Sequence, residues 1–314
     1  MFGELPPREP PPAGLQLGFV TRAERAEVEA LERLPIDSLW VGGHVASPNP
    51  TPETMVGLAR LSSASERVRI GSSILLLPLF PPAIVAKQVA DLDRATGGRV
   101  TLGVGIGGEY PQEFRACQVP VSERGRRTDE AIPLLRRLWT GEEVTHDGRY
   151  YAMEQVRIHP APVQPGGPPV VVAGRQEPAM RRAARLGDGW MPYLYSPRRY
   201  AASVATIRAA ADELGRELTS FEWFAFVFVN VKAEAAAARA DAARSIGGLY
   251  SQDFSELVKT VVAAGTVDEV ATRLQAYVDA GARHLILAPA TEDDRDRIVR
   301  RVVEEVMPRL TVPD

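Results

Sequence analysis

Reactive side chains are scarce in this chain of 314 residues, and their placement restricts the chemistry it can perform. Schiff-base chemistry needs a lysine at the end of a strand. The only lysines are Lys87 and Lys259, both within helical patterns, and Lys232, which follows a strand pattern at a helix start and reads as a solvated helix lysine. A metal centre needs clustered His, Cys, Asp or Glu. His44, His146, His159 and His284 show no HxH or HExxH spacing, so no metal site is expected. There is no GxSxG elbow, and the single cysteine, Cys117, reads as a small apolar packing residue. So few acid–base groups point to an organic cofactor for the difficult step.

Two backbone motifs fit such a cofactor. The run Gly103-Val-Gly105-Ile-Gly107-Gly108 follows a strand pattern and formally contains GxGxxG. Pro111 and Pro120 delay the next helix and the strand is the fourth, so a Rossmann dinucleotide site fits poorly. Glycines at 105, 107 and 108 instead let a flat ring or a phosphate approach the backbone; a tight turn without ligand is the plainer alternative. The segment Ala173-Gly174-Arg175-Gln176 precedes Glu177-Pro178 and a helical pattern. It sets backbone N–H groups at a helix start, where phosphate binds; an ordinary strand-to-helix turn explains it equally well. Arg124, Arg126 and Arg127 open another helix and read as a solvated face.

The elements that must position these groups recur as strand–helix units. Strand patterns lie at Leu15–Val20, Ser38–Gly42, VRIGSSILL from Val68, RVTLGVG from Arg99, PVVVAG at 169–174, GWMP at 189–192, Glu222–Val231 and HLILAP at 284–289. Helical patterns occupy 24–34, 53–64, 83–94, 123–139, 179–186, 198–214, 233–246, 267–280 and 292–307. Residues 143–160 read as a hairpin turning at Asp147-Gly148, inserted after the fourth strand–helix unit. Eight such units predict an α/β fold, a (β/α)8 TIM barrel over residues 14–314 as one domain, with a doubly wound open sheet as the alternative. Residues 1–13, with five prolines, read as a loose tail where a signal peptide would need an apolar run.

Composition narrows the setting. A chain 45% hydrophobic and of this length forms a core without disulfide or metal staples. The lone cysteine excludes an internal disulfide and suits a reducing, cytoplasmic location. A formal charge of −3 argues against nucleic acid or an anionic membrane as partner, and no apolar run is long enough to span a bilayer.

Several segments, in order, resemble the luciferase-like monooxygenase superfamily, in its branch that uses the deazaflavin coenzyme F420. They include SLWVGGH at 38–44, RIGSSILLLPLFPPAIVAKQVADLDRATGGRVTLGVGIGGEYPQEF at 69–114, ERGRRTDEAIPLLRRLWTGEEV at 123–144, PVVVAG at 169–174 and AARLGDGW at 183–190. The resemblance implies a bacterial luciferase-like TIM barrel with coenzyme F420, or alternatively FMN, at its C-terminal mouth, a small-molecule substrate and a homodimer. It implies a hydride-transferring oxidoreductase; an FMN monooxygenase and a cofactor-binding protein without turnover are the alternatives. The family's bulge with a non-prolyl cis peptide after the third strand falls on Ser73-Ile74, beside Ser72, and the cofactor phosphate falls near Gly174-Arg175. Where the family often has Asp-His after the second strand, this chain has Gly43-His44. His44 is therefore the acid–base candidate, standing without an adjacent carboxylate. Glu109 resembles the glutamate that sugar-phosphate dehydrogenases of the family carry after the glycines, offset here by Gly108. Trp190 of GDGW is a candidate mouth residue, whereas Trp40 reads as core.

Overall fold

The computed structural model describes residues 14–250, 253–291 and 294–313; the proline-rich stretch 1–13 lies outside them. In chain order the elements are β1 (Gln16–Val20), α1 (Arg25–Glu32), β2 (Ser38–Val41), α2 (Thr54–Ala64), β3 (Arg69–Ser72), β4 (Leu75–Leu76), α3 (Pro82–Ala95), β5 (Val100–Gly105), α4 (Pro111–Ala116), α5 (Arg124–Trp139), β6 (Val144–Asp147) and β7 (Ala152–Val156). There follow β8 (Val170–Ala173), α6 (Glu177–Leu186), β9 (Gly189–Met191), α7 (Pro197–Glu213), β10 (Glu222–Val231), α8 (Ala235–Tyr250), α9 (Val258–Val261), β11 (Ala263–Gly265), α10 (Val267–Asp279), β12 (His284–Pro289) and α11 (Arg295–Arg301).

Parallel pairing runs β10-β12-β1-β2-β3-β5-β8-β9, and β9 returns to β10 through Gly189 opposite Glu222 and Trp190 opposite Trp223. The sheet is therefore a closed eight-stranded barrel wrapped by helices, and the open-sheet alternative falls. The antiparallel hairpin β6–β7 stands outside it, after the fourth unit as expected. The Glu130 carboxylate on α5 pins the hairpin by accepting the Tyr150 and Tyr151 amides.

Three departures from the sequence reading have physical reasons. The third strand is broken: β3 stops at Ser72 and β4 resumes at Leu75. The short elements α4, α9 and β11 are too brief to carry a period; β11 only extends pairing at the far end of β10. The last helix starts at Arg295, capped by the Asp294 side chain, rather than at Glu292, which lies outside the described residues.

Side chains alternate strictly along the strands. On β10, Trp223, Ala225, Val227, Val229 and Val231 join the outer core under the helices, while Phe224, Phe226 and Phe228 belong to the inner clusters. The barrel interior fills in layers. The floor is made by the first residues of four strands: Arg69 pairs with Glu222 at 2.6 Å, and Ser38 Oγ meets His284 Nε2 at 2.7 Å. Above it, Trp40 packs with Val171, Met191, Phe224 and Ile286, all buried. The Trp40 ring fits because its register partner is Gly71, where a β-carbon would overlap the ring.

Burial, reinforced by Arg69, holds the His284 imidazole well below its ordinary pKa of 6.5. The folded protein thus keeps His284 neutral while the unfolded chain protonates it. Stability from this residue is complete above pH 6.5 and declines as pH falls below it, by about 1.4 kcal/mol per pH unit. Urea unfolding across that range should show this slope, and His284→Gln should remove it.

Candidate active site

The break in the third strand shapes the mouth of the barrel. Ser73 and Ile74 are joined by a cis peptide, as the resemblance implied. The Ser73 amide donates to Val41 O at 2.8 Å, and Thr54 Oγ1 donates to Ile74 O at 3.3 Å. Neighbouring strands give way to this bulge. A β-carbon at Gly42 would lie 2.5 Å from the Ser73 carbonyl oxygen; at Gly103 it would overlap the Ser72 carbonyl, and at Gly105 the Ile74 side chain. Ser73 and Ile74 are half-buried, as are the inward-facing Val20, Gly42, Ala173 and Phe226. Together they line a cup above the Trp40 layer. Ser73 Oγ is itself buried and has no hydrogen-bond partner among the described residues.

His44 stands on the loop after β2, and a carboxylate distant in sequence holds it. Glu113 on α4 is fully buried; its Oε1 lies 3.0 Å from His44 Nδ1, while its Oε2 accepts the Val45 amide at 2.8 Å and the Ala46 amide at 3.3 Å. The imidazole also packs edge-on against Tyr110, with ring centroids 4.9 Å apart. Its Nε2 makes no hydrogen bond among the described residues, so the ring is oriented at one nitrogen and open at the other. Farther along the same loop, Asn49 Nδ2 donates to Leu249 O at the end of α8, tying two rim segments together.

Across the mouth, Glu109 is exposed and accepts the Tyr193 hydroxyl. Burial and the adjacent Glu109 charge raise the Tyr193 pKa, so the phenol keeps its proton. The Arg175 guanidinium lies 4.7 Å over the Tyr193 ring. Arg175 immediately precedes α6, whose N-terminus receives no side-chain cap from Gln176. Gly174 has φ +148°, and a side chain there would collide with Ala179, so the strand-to-helix turn requires glycine. The Arg175 and Gln176 amides at a helix N-terminus, with a guanidinium that makes no ion pair among the described residues, could hold an anion.

A family model described as luciferase-like monooxygenase matches residues 2–284. The chain belongs to that family. An uncharacterized protein of Mycobacterium tuberculosis is 38% identical over 167 residues, which is 53% of this chain and 57% of that protein, so the match spans little more than half of the relative. An F420-dependent glucose-6-phosphate dehydrogenase of Gordonia bronchialis is 26% identical, with 94% of this chain and 97% of that protein covered. Among solved structures, an F420-dependent secondary alcohol dehydrogenase in complex with an F420–acetone adduct superposes with a TM-score of 0.81 at 20% identity, covering 95% of this chain and 99% of that one. That likeness is one of fold.

Within this luciferase-like barrel several expectations need correction. His44 does not stand alone: Glu113 takes the place of a sequence-adjacent acid. Ser72 is fully buried and its hydroxyl donates to Gly103 O at 2.7 Å, so it props the bulge rather than lining the cup. Gly107 faces Leu76 and Phe114 beneath the loop, not the mouth. Gly108 lies against Arg124, whose Nε is buried without a partner, so Arg124 is not part of a solvated face; Arg127 packs over the Tyr150 ring at 5.0 Å. Trp190 is buried outside the barrel wall against Tyr195 and Tyr200, its Nε1 donating to Gly174 O at 3.0 Å. Lys232 pairs with the buried Asp241 at 2.7 Å rather than standing in solvent. Among the described residues, no group of three or more His, Cys, Asp or Glu could hold a metal, and no helix is long and apolar enough to cross a membrane.

Glu113→Ala strips the acceptor from the imidazole and two amides. Unfolding free energy should fall by about 1–3 kcal/mol, and hydrogen exchange at Val45 and Ala46 should accelerate. Glu113→Gln, which keeps an acceptor oxygen, should lose less by both measures.

Proposed function

We propose that this chain is an oxidoreductase that moves a hydride between the deazaflavin coenzyme F420 and a small organic substrate. The observation that carries the reading is the bulge: half-buried Ser73 and Ile74 at a cup whose neighbouring strands have glycine at 42, 103 and 105. Such a surface suits a flat tricyclic ring. Relatives named as F420-dependent, similar over almost the whole chain, favour the deazaflavin over FMN.

Bound F420 supplies a ring carbon that takes up or releases a hydride. Ile74 would support one face of the ring, with Ser73 beside it along the ring's edge. Gly105, Gly108 and Ala173 keep the backbone close to the ligand. The N–H groups of Arg175 and Gln176, with the Arg175 guanidinium, would hold the phosphate by charge-assisted bonds, while the Gly174 amide donates to Met191 O at 3.4 Å and its lack of a side chain lets the turn form. His44 handles the proton that accompanies hydride transfer: Glu113 fixes Nδ1, leaving Nε2 toward the substrate. Glu109, held by Tyr193, is the second candidate for that proton. The ordered His44–Glu113 pair favours turnover over mere cofactor binding.

The reading treats residues 14–314 as one catalytic domain working in the cytoplasm as a homodimer. Val45, Val56 and Ile84 are exposed on the loop before α2, on α2 and on α3, and α2 packs on α3. That apolar surface suits a second copy of the chain.

Three measurements test these proposals. Absorbance titration should show binding of F420; tight FMN binding without F420 affinity would overturn the cofactor assignment. His44→Ala should then lower saturated turnover roughly 10²–10⁴-fold with little change in F420 affinity. Unchanged turnover would move the proton to Glu109. Separately, Val56→Asp with Ile84→Asp should convert a dimer to a monomer in light scattering.

A further inference from the structure

Arginines gather without acidic partners where α6 and α7 begin. Arg175, two residues before α6, keeps its guanidinium over the Tyr193 ring. Arg199, in the first turn of α7, lies 4.5 Å over the Tyr195 ring, and its Nη2 donates to Arg175 O at 3.1 Å. The Tyr195 hydroxyl donates to that same carbonyl at 3.2 Å, so the two segments are pinned to one another. Arg198, next in the chain, is exposed. None of these three arginines makes an ion pair among the described residues.

The acids around them are taken. Glu177 and Glu213 both pair with Arg181, at 2.9 and 3.3 Å. Asp129 pairs with Arg182 and with Arg185, at 2.9 Å each. Glu109 accepts the Tyr193 hydroxyl. A guanidinium carries five N–H donors. Arg199 spends one on Arg175 O, and the side chains of Arg175 and Arg198 spend none among the described residues. Aromatic faces hold two of these groups in place without consuming their donors. The whole chain has a formal charge of −3, so this corner reverses its sign and concentrates anions.

A phosphate at the Arg175 and Gln176 amides accounts for Arg175 alone. FMN ends at its phosphate, whereas F420 continues into a chain of γ-linked glutamates, each with a free carboxylate. Resting on the F420 reading, we infer that Arg199 and Arg198 hold carboxylates of that tail, outward of the phosphate. A carboxylate matches the planar guanidinium fork two bonds at a time. Tethering through the bound ring keeps the tail near its arginines at about millimolar effective concentration, so pairs that are weak at an exposed site still add affinity.

The test is fluorescence titration of the whole protein with F420 bearing four glutamates and with the form bearing none. At about 20 mM salt the tailed form should bind roughly three- to tenfold more tightly, and the gap should close as salt nears about 500 mM. Arg198→Glu, at a side chain with no contact to lose among the described residues, should erase most of that preference, and Arg198→Lys should keep most of it. Arg199→Ala should lower the preference whatever it does to the turn at Arg175, because the ratio of the two affinities cancels a shared loss. A preference that survives Arg198→Glu combined with Arg199→Ala would overturn the inference. So would free tetra-γ-glutamate binding as tightly as the tailed coenzyme, since the site would then belong to a free polycarboxylate. Equal binding of the two coenzyme forms brings down the inference alone; failure of both forms to bind brings down the cofactor reading and the inference with it.

Discussion

The interior of an eight-stranded barrel holds one layer of large side chains at a time, and here a single indole claims the middle one. Trp40 is fully buried, and its room comes from the adjacent strands: Gly71 opposite it on β3, and Gly18 on β1, where a β-carbon would lie 2.9 Å from the indole nitrogen. Its N–H is satisfied by Ser38 Oγ at 2.7 Å, which in turn meets His284. One large ring thus fixes the floor on which the mouth is built. Everything above it can be open because everything below it is filled.

That openness is divided unevenly. On one side, glycines at 42, 103 and 105 let the main chain of the bulge sit where side chains would otherwise be. On the other, the half-buried Phe226 of β10 presents a ring without polarity, with Phe228 buried beside it against α8 and α9. Glycine permits close approach and aromatic rings provide dry contact area, so one barrel offers two surfaces of opposite character facing each other. The buried Glu113 adds a strongly directed polar group on the rim, organising a loop and an imidazole together.

Much of the fold was legible because alternation and strand–helix rhythm are local properties of the chain. The eight barrel strands, the hairpin at 143–160 and the interruption at Ser73-Ile74 follow from runs of residues and from the resemblance that they carry. What was not legible depends on pairs far apart in sequence. Glu113 lies 69 positions from His44, and its only local sign is a glutamate beside Phe114 in a helix too short to show a period. Tyr193 meets Glu109 across 84 residues, with nothing in MPYLY to announce it. Ser72 and Ser73 are indistinguishable in sequence, yet one hydroxyl is spent on Gly103 and the other is left unmet. The same is true of Lys232, whose partner Asp241 lies on α8. The phenylalanine alternation in EWFAFVFVNV was open to reading, since residues two apart in a strand share a face.

The bond between Asn49 and Leu249 joins segments 200 residues apart, one in the loop after β2 and the other at the end of α8. A neutral hydrogen bond of this part-buried kind is worth about 1 kcal/mol net, so thermal motion breaks it for roughly one-sixth of the time. Loop displacements occur within about nanoseconds to microseconds, whereas a typical enzyme turns over about ten times per second. That link therefore breaks and re-forms many thousands of times in the span of one typical turnover, so it ties the two loops together on average without timing anything slower.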